Sequence, residues 1–348
     1  MTDLTAHGHL PTAPAPALLD EIAASILEQD LPLADHRPAR VESDTGIGVI
    51  RFDAADDGLH VDIHSDSAAN LYMLRESVLG RLDALRSGLG AQLEWAGELP
   101  RGATPPNFRE ARVVGRSRVG ARFLRLRLAA PDLQDFARSG IHIRLLLPPE
   151  GRDPVWPMIG AEGRTVWPSG ADALHTPAYT IRAIDPEAGW MDVDVYLHGN
   201  GPTCAWAEAA THGARVGLAG PGGGWLPEAA HLVLAGDETA LPAIARILET
   251  APPFVTGLAA IEVEDDDDVL TLTAPVGMRV RWLRRSAGDP GLEEVLRSAD
   301  LGVAGERHVW VAAEKRRVQA MRRFVRTEAG VDRSECYVAA YWTAQKPD

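Results

Sequence analysis

The segment AGDETALPAI, residues 235–244, follows the apolar run HLVL and leads into a helical pattern. A strand ending at Gly236 and a helix starting at about Thr239 to Leu241 suit Pro242, which is tolerated only in a first turn, and suit Asp or Thr as the N-cap. Such a junction exposes backbone N–H groups and the positive end of a helix dipole at the end of a parallel strand, where α/β sheets bind ligands. The chemistry on offer is anion and nucleotide binding. Asp237 and Glu238 stand where nucleotide-binding proteins usually present glycines. Read as caps, they hold the loop and leave the amides and the Thr239 hydroxyl facing a ligand; the same residues also describe a well-capped structural helix.

Other reactive groups are sparser. Cys204 and Cys336 are far apart and form no CxxC pair, which argues against a disulfide framework or a cysteine-held iron–sulfur cluster. Cys204 near a helix start has the position of a low-pKa thiol, but without a partner cysteine it reads as a small packing residue. His60, Asp62 and His64 share one face of a strand, and Leu59, Val61 and Ile63 the other. A metal site would use that pattern, and so does the solvent face of a half-buried sheet, which is the reading taken: no metal is expected. His7 and His9 lie in an amino-terminal tail that cannot fix ligand geometry, so they are expected to be uninvolved. Glu262 follows Gly236 at roughly the spacing of an acid that binds a ribose diol, which would favour NADH over NADPH. Arg316, Arg317, Arg322, Arg323 and Arg326 form the polar side of a helix above Val318, Met321 and Val325. They read as a solvated face, with attraction of an anionic chelate or a nucleotide phosphate as the alternative. No Ser-His-Asp order, HExxH or P-loop lysine occurs.

The elements that would position these groups fall into successive blocks. Residues 1–35 read as a tail with one docking helix: the Pro/Ala linker PTAPAPA (11–17), then Leu18, Leu19, Ile22 and Ile26 at helical spacing. Residues 36–98 make a small α+β domain. In it GVIRF and LHVDIHS alternate as strands around the turn AADDG, a helix sets Leu71, Leu74, Val78, Leu82 and Leu85 on one face, and AQLEW closes as a short strand. A linker follows over 96–107. Residues 105–225 hold six strand-like segments, EARVVGRSRV, RFLRLRLA, GIHIRLLLP, AYTIRAI, WMDVDVYLHG and ARVGLAG, with one helical insertion at 202–210. That spacing predicts an antiparallel barrel. From 228 to 345, apolar runs HLVLAG, GLAAIEVE, RVRWL, HVWVAAE and CYVAAYW alternate with helical stretches at 240–249, 290–298 and 314–329, the pattern of a parallel α/β sheet with a nucleotide-binding edge. EDDDD (264–268) reads as a solvated loop.

Composition bounds the function. The chain has 348 residues, 45% hydrophobic and 24% charged, which suits two or three soluble domains. Its 49 acids against 35 Lys plus Arg give a net charge of −14, which repels a phosphate backbone, so nucleic acid is excluded as a partner and the tryptophans, Trp156 and Trp167 included, read as core and cleft lining. No stretch resembles a secretory signal or approaches the roughly 18 apolar residues that span a bilayer, so no membrane role and a cytoplasmic location are expected.

Taken in order, PAYTIR (177–182), HGNGPTCAWAEAA (198–210), AGPGG (219–223), GDETALPAI (236–244), VAAEKRRVQAMRRFV (311–325) and YVAAYW (337–342) resemble the siderophore-interacting protein family, as do HIRLLLP (142–148) and VWPMIGAEGRTVWPSG (155–170). The family comprises FAD-dependent ferric-siderophore reductases on a ferredoxin-reductase-like scaffold, and the likeness covers about residues 108–343. It implies a six-stranded FAD-type barrel followed by an NAD(P)-binding α/β domain. Residues 36–95 resemble a small domain of unassigned function sometimes fused to these reductases.

Carried over residue by residue, the resemblance implies that Tyr179 packs on the isoalloxazine and that Thr180 offers a hydrogen bond near the reactive flavin nitrogen. Ile181 and Arg182 continue that cofactor segment, with Arg182 adding charge for the phosphates. His198, Gly201, Thr203, Cys204 and Trp206 would belong to the turn and helix start that hold the FAD pyrophosphate. Gly236, Asp237, Glu238, Thr239 and Ala240 would face the nicotinamide nucleotide or the far end of FAD. Glu314 matches an acid after a later strand, and Tyr341 with Trp342 the C-terminal aromatic pair. The chain departs from the pattern at Pro177, where the family has an arginine; His175, Thr176 or Arg182 would have to compensate. Thr203-Cys204, Ala340 and Thr343 also replace the usual residues. A nicotinamide delivers two electrons as hydride and Fe(III) accepts one, so a cofactor that changes the count is required between them. The function expected is transfer of electrons from NADH or NADPH through FAD to a ferric siderophore or other iron chelate. The alternatives are a degenerate relative that binds without turnover and a generic flavin reductase or diaphorase.

Overall fold

The structure, a computed structural model, describes residues 4–11, 15–28, 31–97, 100–199, 201–224 and 226–344. Contacts divide the chain into two units, residues 1–108 with 148–174, and residues 109–147 with 175–348. Among the described residues no helix is long and apolar enough to cross a membrane.

The first unit is built on an antiparallel sheet of six strands: β1 (Leu4–Leu10), β2 (Asp35–Arg37), β3 (Arg40–Asp44), β4 (Val49–Ala55), β5 (Gly58–Ser65) and β6 (Glu94–Trp95), in the order β2-β3-β4-β5-β1-β6. Helices α1 (Ala15–Glu28) and α2 (Ala68–Leu85) enclose a core with its buried face. The expected helix face is present: Leu74, Val78 and Leu82 are buried, with Leu71 and Leu85 packed beside them. Residues 12–14 of the first expected linker and 98–99 of the second lie outside the described residues. The expected tail is instead a strand inside the sheet. β1 pairs with β5 from Leu4↔Ser65 to Leu10↔Leu59. Its inward positions include Gly8, where a Cβ would stand 3.1 Å from Leu93, so Leu10 is the one fully buried large apolar residue in the strand and no alternating pattern marks it. The Trp/Pro-rich insertion, expected inside the barrel domain, also packs here. Its short hairpin, β10 (Met158–Ile159) with β11 (Thr165–Val166), is held by Tyr72 Oη to Thr165 Oγ1 at 2.8 Å and by Arg164 donating to Asp83 at 2.5 Å.

The second unit joins the barrel to the α/β half. Strands β7 (Phe108–Val119), β8 (Phe123–Ala129), β9 (His142–Leu146), β12 (Ala178–Thr180), β13 (Ala183–Asp185), β14 (Trp190–Tyr196) and β15 (Arg215–Gly222) run in the order β12-β9-β15-β7-β8-β14-β13. The expected single segment AYTIRAI is split in two. Ile181 N bonds Ile141 O at 2.8 Å and Arg182 N bonds Asp192 O at 2.8 Å, so the chain leaves β9 and joins β14 within one residue. The two edge strands are thus one continuous segment, and the sheet closes on itself. Leu126, Leu128, Ile143, Leu145, Val193 and Leu218 fill its interior. On the other face, Arg125 and Arg127 make two-pronged hydrogen bonds to Asp194 and Asp192, their direct cross-strand neighbours. The helix α3 (Pro202–Ala209) precedes β15.

The α/β half has five parallel strands, β16 (His231–Gly236), β17 (Thr256–Val263), β18 (Gly277–Arg284), β19 (Arg307–Glu314) and β20 (Cys336–Trp342), in the order β18-β17-β16-β19-β20. Helices α4 (Leu241–Thr250), α5 (Leu292–Ser298) and α6 (Lys315–Arg323) cover it. Buried clusters lie on both faces, as the apolar runs require. The acidic loop is not simply solvated: Arg122 at the start of β8 pairs with Asp265 at 3.0 Å and with buried Asp268 at 3.4 Å, tying barrel to α/β half.

Leu126 is fully buried in the barrel. Leu126→Ala is expected to lower unfolding free energy by about 2–5 kcal/mol, read by denaturant titration, because the closed sheet cannot collapse onto the cavity.

Candidate functional site

The site starts from strand alternation in β12. Tyr179 lies opposite Ile143 and Thr180 opposite His142, so the two side chains point to opposite faces. Tyr179 packs against the barrel core with the Thr203 side chain close to its hydroxyl; burial pushes its pKa up to about 12. His175 Nε2 lies 2.9 Å from Thr203 Oγ1, so the start of α3, the strand and the preceding loop meet at one threonine. Thr180 is buried, and among the described residues its hydroxyl has no hydrogen-bond partner. It shares its face with His142, whose Nε2 is 2.5 Å from Tyr341 Oη, the rings set edge to face at 5.1 Å.

The helix α3 opens with Gly201 as N-cap and Pro202 in its first turn, and its first backbone bond runs from Ala205 N to Gly201 O. The turn before that bond lies outside the helix ladder, which is the condition for holding an anion. Thr203 and Cys204 are buried, Trp206 packs on the barrel core, and His198 is exposed beside Tyr196. Cys204 Sγ donates to Tyr196 O at 3.5 Å, in keeping with a packing residue.

The turn 236–240 departs from expectation. Thr239 N and Thr239 Oγ1 both donate to Asp237 Oδ1, at 3.0 and 2.6 Å, and the Ala240 and Leu241 amides bond to Asp237 O. Those three amides and the Thr239 hydroxyl are spent inside the turn, so they do not form a free anion cradle. Glu238 is paired with Arg285 and also accepts from Tyr196 Oη at 3.4 Å. Ala240 is fully buried. Gly236 has a packing role: a Cβ there would stand 2.4 Å from Ala240 Cβ. Asp237 keeps one outward task, accepting from Trp342 Nε1 at 2.8 Å. That bond fixes the indole, which remains 45% exposed and presents a flat apolar surface at the sheet edge.

Several expected ligand residues have other occupations. Ile181 is fully buried in the barrel core. Arg182 is turned away from Thr180 and Tyr179, because Glu249 of α4 takes both ends of its guanidinium, at 2.7 and 2.5 Å. It lines a separate cavity of about 320 Å³ with Phe123, Arg125, Leu241, Pro242 and Leu270. Glu314 caps α6 through Arg316 N and Arg317 N and accepts from Ala344 N, so it fastens the C-terminal strand. Glu262 is filled by Arg317, Arg285 and Leu292 N. Burial raises its pKa, but these donors outweigh burial and hold it below the ordinary value, so no carboxylate edge is left for a ribose.

Two residues of the site were not legible in the sequence. His142 joins β9 to Tyr341, and burial, with the charge of Arg246 adding to it, drives its pKa down to about 4. Arg144, exposed and directly across from Ala178, donates to Thr176 O at 3.1 Å and brings a guanidinium beside Pro177. Only the antiparallel register of β9 with β12 reveals either.

Sequence comparison adds relatives to this geometry. Residues 112–225 match the family described as siderophore-interacting FAD-binding domain and residues 229–345 the one described as siderophore-interacting protein. Neither match includes residues 1–111. Ferric vibriobactin reductase ViuB of Vibrio cholerae is 31% identical over 244 residues, 67% of this chain and 88% of the relative. An NADPH-dependent ferric-chelate reductase of Escherichia coli is 29% identical, over 68% of this chain and 94% of its own. A siderophore utilization protein from T. fusca superposes with a TM-score of 0.61 at 31% identity, covering 69% of this chain and 94% of that one.

Partly buried imidazoles make stability depend on pH. An unfolded histidine titrates near 6.5 and folded His142 at about 4, so between those values the unfolded chain binds more protons and stability falls as pH falls. From pH 7.5 to 5.0 His142 alone should remove about 2 kcal/mol. Partly buried His308, also at about 4, adds a similar amount. Urea denaturation at the two pH values should therefore show a smaller loss for His142→Gln than for the unsubstituted chain.

Proposed function

The chain belongs to the siderophore-interacting protein family, and from that premise we propose that it is an FAD-dependent oxidoreductase carrying electrons from NAD(P)H to the iron of a ferric siderophore. The observation that carries this reading is the alternation at β12. One strand gives Tyr179 to the first turn of α3, the place for a pyrophosphate rather than for the ring that the resemblance assigned to it, and Thr180 to the side of His142 and its partner Tyr341, the place for a ring system.

The residues present fit the cofactor: a partnerless hydroxyl, an indole fixed by Asp237, and a helix start behind the tyrosine are the donors and surfaces that a flavin dinucleotide uses. Bound FAD supplies the exchange between a two-electron hydride donor and a one-electron ferric acceptor. The protein's own part is positional. Tyr179 and the α3 turn bind and orient, the Thr180 hydroxyl holds a hydrogen bond at the ring, and Trp342 covers the edge where a nicotinamide or chelate approaches. Arg144 takes over the charge that Pro177 lacks. No protein nucleophile is needed, and a ferrous product leaves hard oxygen donors more readily than ferric iron does.

Pro177 favours one rival, a relative that binds a nucleotide or chelate without turnover. Purified protein with flavin absorption near about 450 nm supports the enzyme, and colourless protein that cannot be reconstituted with FAD supports the rival. Thr180→Val should slow flavin reduction by NAD(P)H at least about tenfold while FAD retention changes little, since shape is kept and one hydrogen bond is lost. Reduction at the unsubstituted rate would remove Thr180 from the site. Arg144→Ala should weaken FAD binding about tenfold, with Arg144→Lys restoring part of it, as read by equilibrium flavin fluorescence.

A further inference from the structure

The first unit has a cation chemistry of its own. Among the described residues, His9, Asp57 and His60 offer donor atoms that lie within 4.8 Å of one another. The sequence hides the group, because strand alternation along β5 couples His60 to Asp62 and His64. In the structure Asp62 is taken by His7, at 2.6 Å, and His60 turns to the neighbouring strand and turn.

Three backbone features bring the donors together. The antiparallel register sets His9 of β1 directly opposite His60 of β5, with ring centroids 4.8 Å apart and planes tilted by 34°. The β4–β5 hairpin turns at Asp56 and Asp57 into Gly58, whose φ is +139° and where a Cβ would stand 2.3 Å from Leu10 O. Only glycine lets that turn press against the end of β1, and the approach carries Asp57 up to both imidazoles. Beneath them Leu10, Leu59 and Val61 are fully buried, so the backbone under the three donors is fixed by the core.

His60 Nε2 is 2.8 Å from Asp57 Oδ1; His9 Nε2 is 3.6 Å from Asp57 Oδ2 and 3.1 Å from the Asp57 carbonyl. Metal–ligand bonds of about 2.0–2.2 Å put neighbouring donors roughly 3–3.5 Å apart, which the two separations to Asp57 straddle, and the pair of imidazoles, within 4.8 Å, closes on an ion by side-chain rotation. We propose that His9, Asp57 and His60 bind a divalent first-row transition ion through two imidazole nitrogens and one carboxylate oxygen, with the outer coordination positions open to solvent. Two neutral imidazoles select this class over calcium and magnesium, which prefer all-oxygen shells. Zinc, cobalt and ferrous ions all belong to it. The inference does not depend on flavin binding, and its test reads the metal alone.

The experiment is calorimetric titration of the full, tag-free, chelator-treated chain with Zn(II), with Co(II) and anaerobic Fe(II) as further arms and Ca(II) and Mg(II) as controls. One equivalent of each transition ion should bind, with no heat from the controls. His9→Gln and His60→Gln should each weaken binding at least about thirtyfold or abolish it, since each removes one of two nitrogen donors. His7→Gln, on the same face, should retain it. Circular dichroism and melting without metal confirm that each variant is folded, and Asp57→Asn gives a third, independent loss. The proposal is overturned if the unsubstituted chain binds none of the transition ions, if His9→Gln and His60→Gln bind as it does, if His7→Gln loses binding equally, or if calcium binds at the same position.

Discussion

Everything in the second unit hangs on the few residues between Ala178 and Asp185, which are hydrogen-bonded to β9 at one end and to β14 at the other. Because the exchange of partners is completed between Ile181 and Arg182, four consecutive side chains have four fates. Tyr179 meets α3, Thr180 faces Tyr341 by way of His142, Ile181 fills the barrel, and Arg182 anchors to α4. The closure that makes the barrel also makes the proposed cofactor seat, and a shift of one residue would exchange the hydroxyl for an isoleucine.

Charge is mostly spent internally. Asp192, Asp194, Glu238, Glu262 and Glu314 are all buried, and each is satisfied by arginines or backbone amides. Removing one partner would leave a charge stranded away from water, which is far more costly than the pair is favourable. The acids of GDET therefore give shape rather than recognition: Asp237 organises its own turn and holds the indole of Trp342 in place. The opening residues of α3, Gly201 and Pro202, bring no carboxylate to their turn.

The sequence was most readable where burial is two-sided. The five apolar runs after residue 230 became β16 to β20, and Pro242 marked the first turn of α4, because these signals are local. What escaped was set by pairing over long separations. β1 contains one large apolar inward residue and two histidines, so only its partner β5 makes it a strand. Arg182 looked available until Glu249, sixty-seven residues away, was brought to it. Arg144 and His142 carried no motif of their own, since their value comes from which residue of β12 lies opposite.

The hairpin at 158–166 leaves the chain between β9 and β12 yet rests its Arg164 and Thr165 on Asp83 and Tyr72 of α2. The amino-terminal module is consequently not a detachable prefix. The polypeptide enters it twice, over residues 1–108 and again over 148–174, so the second passage completes what the first begins.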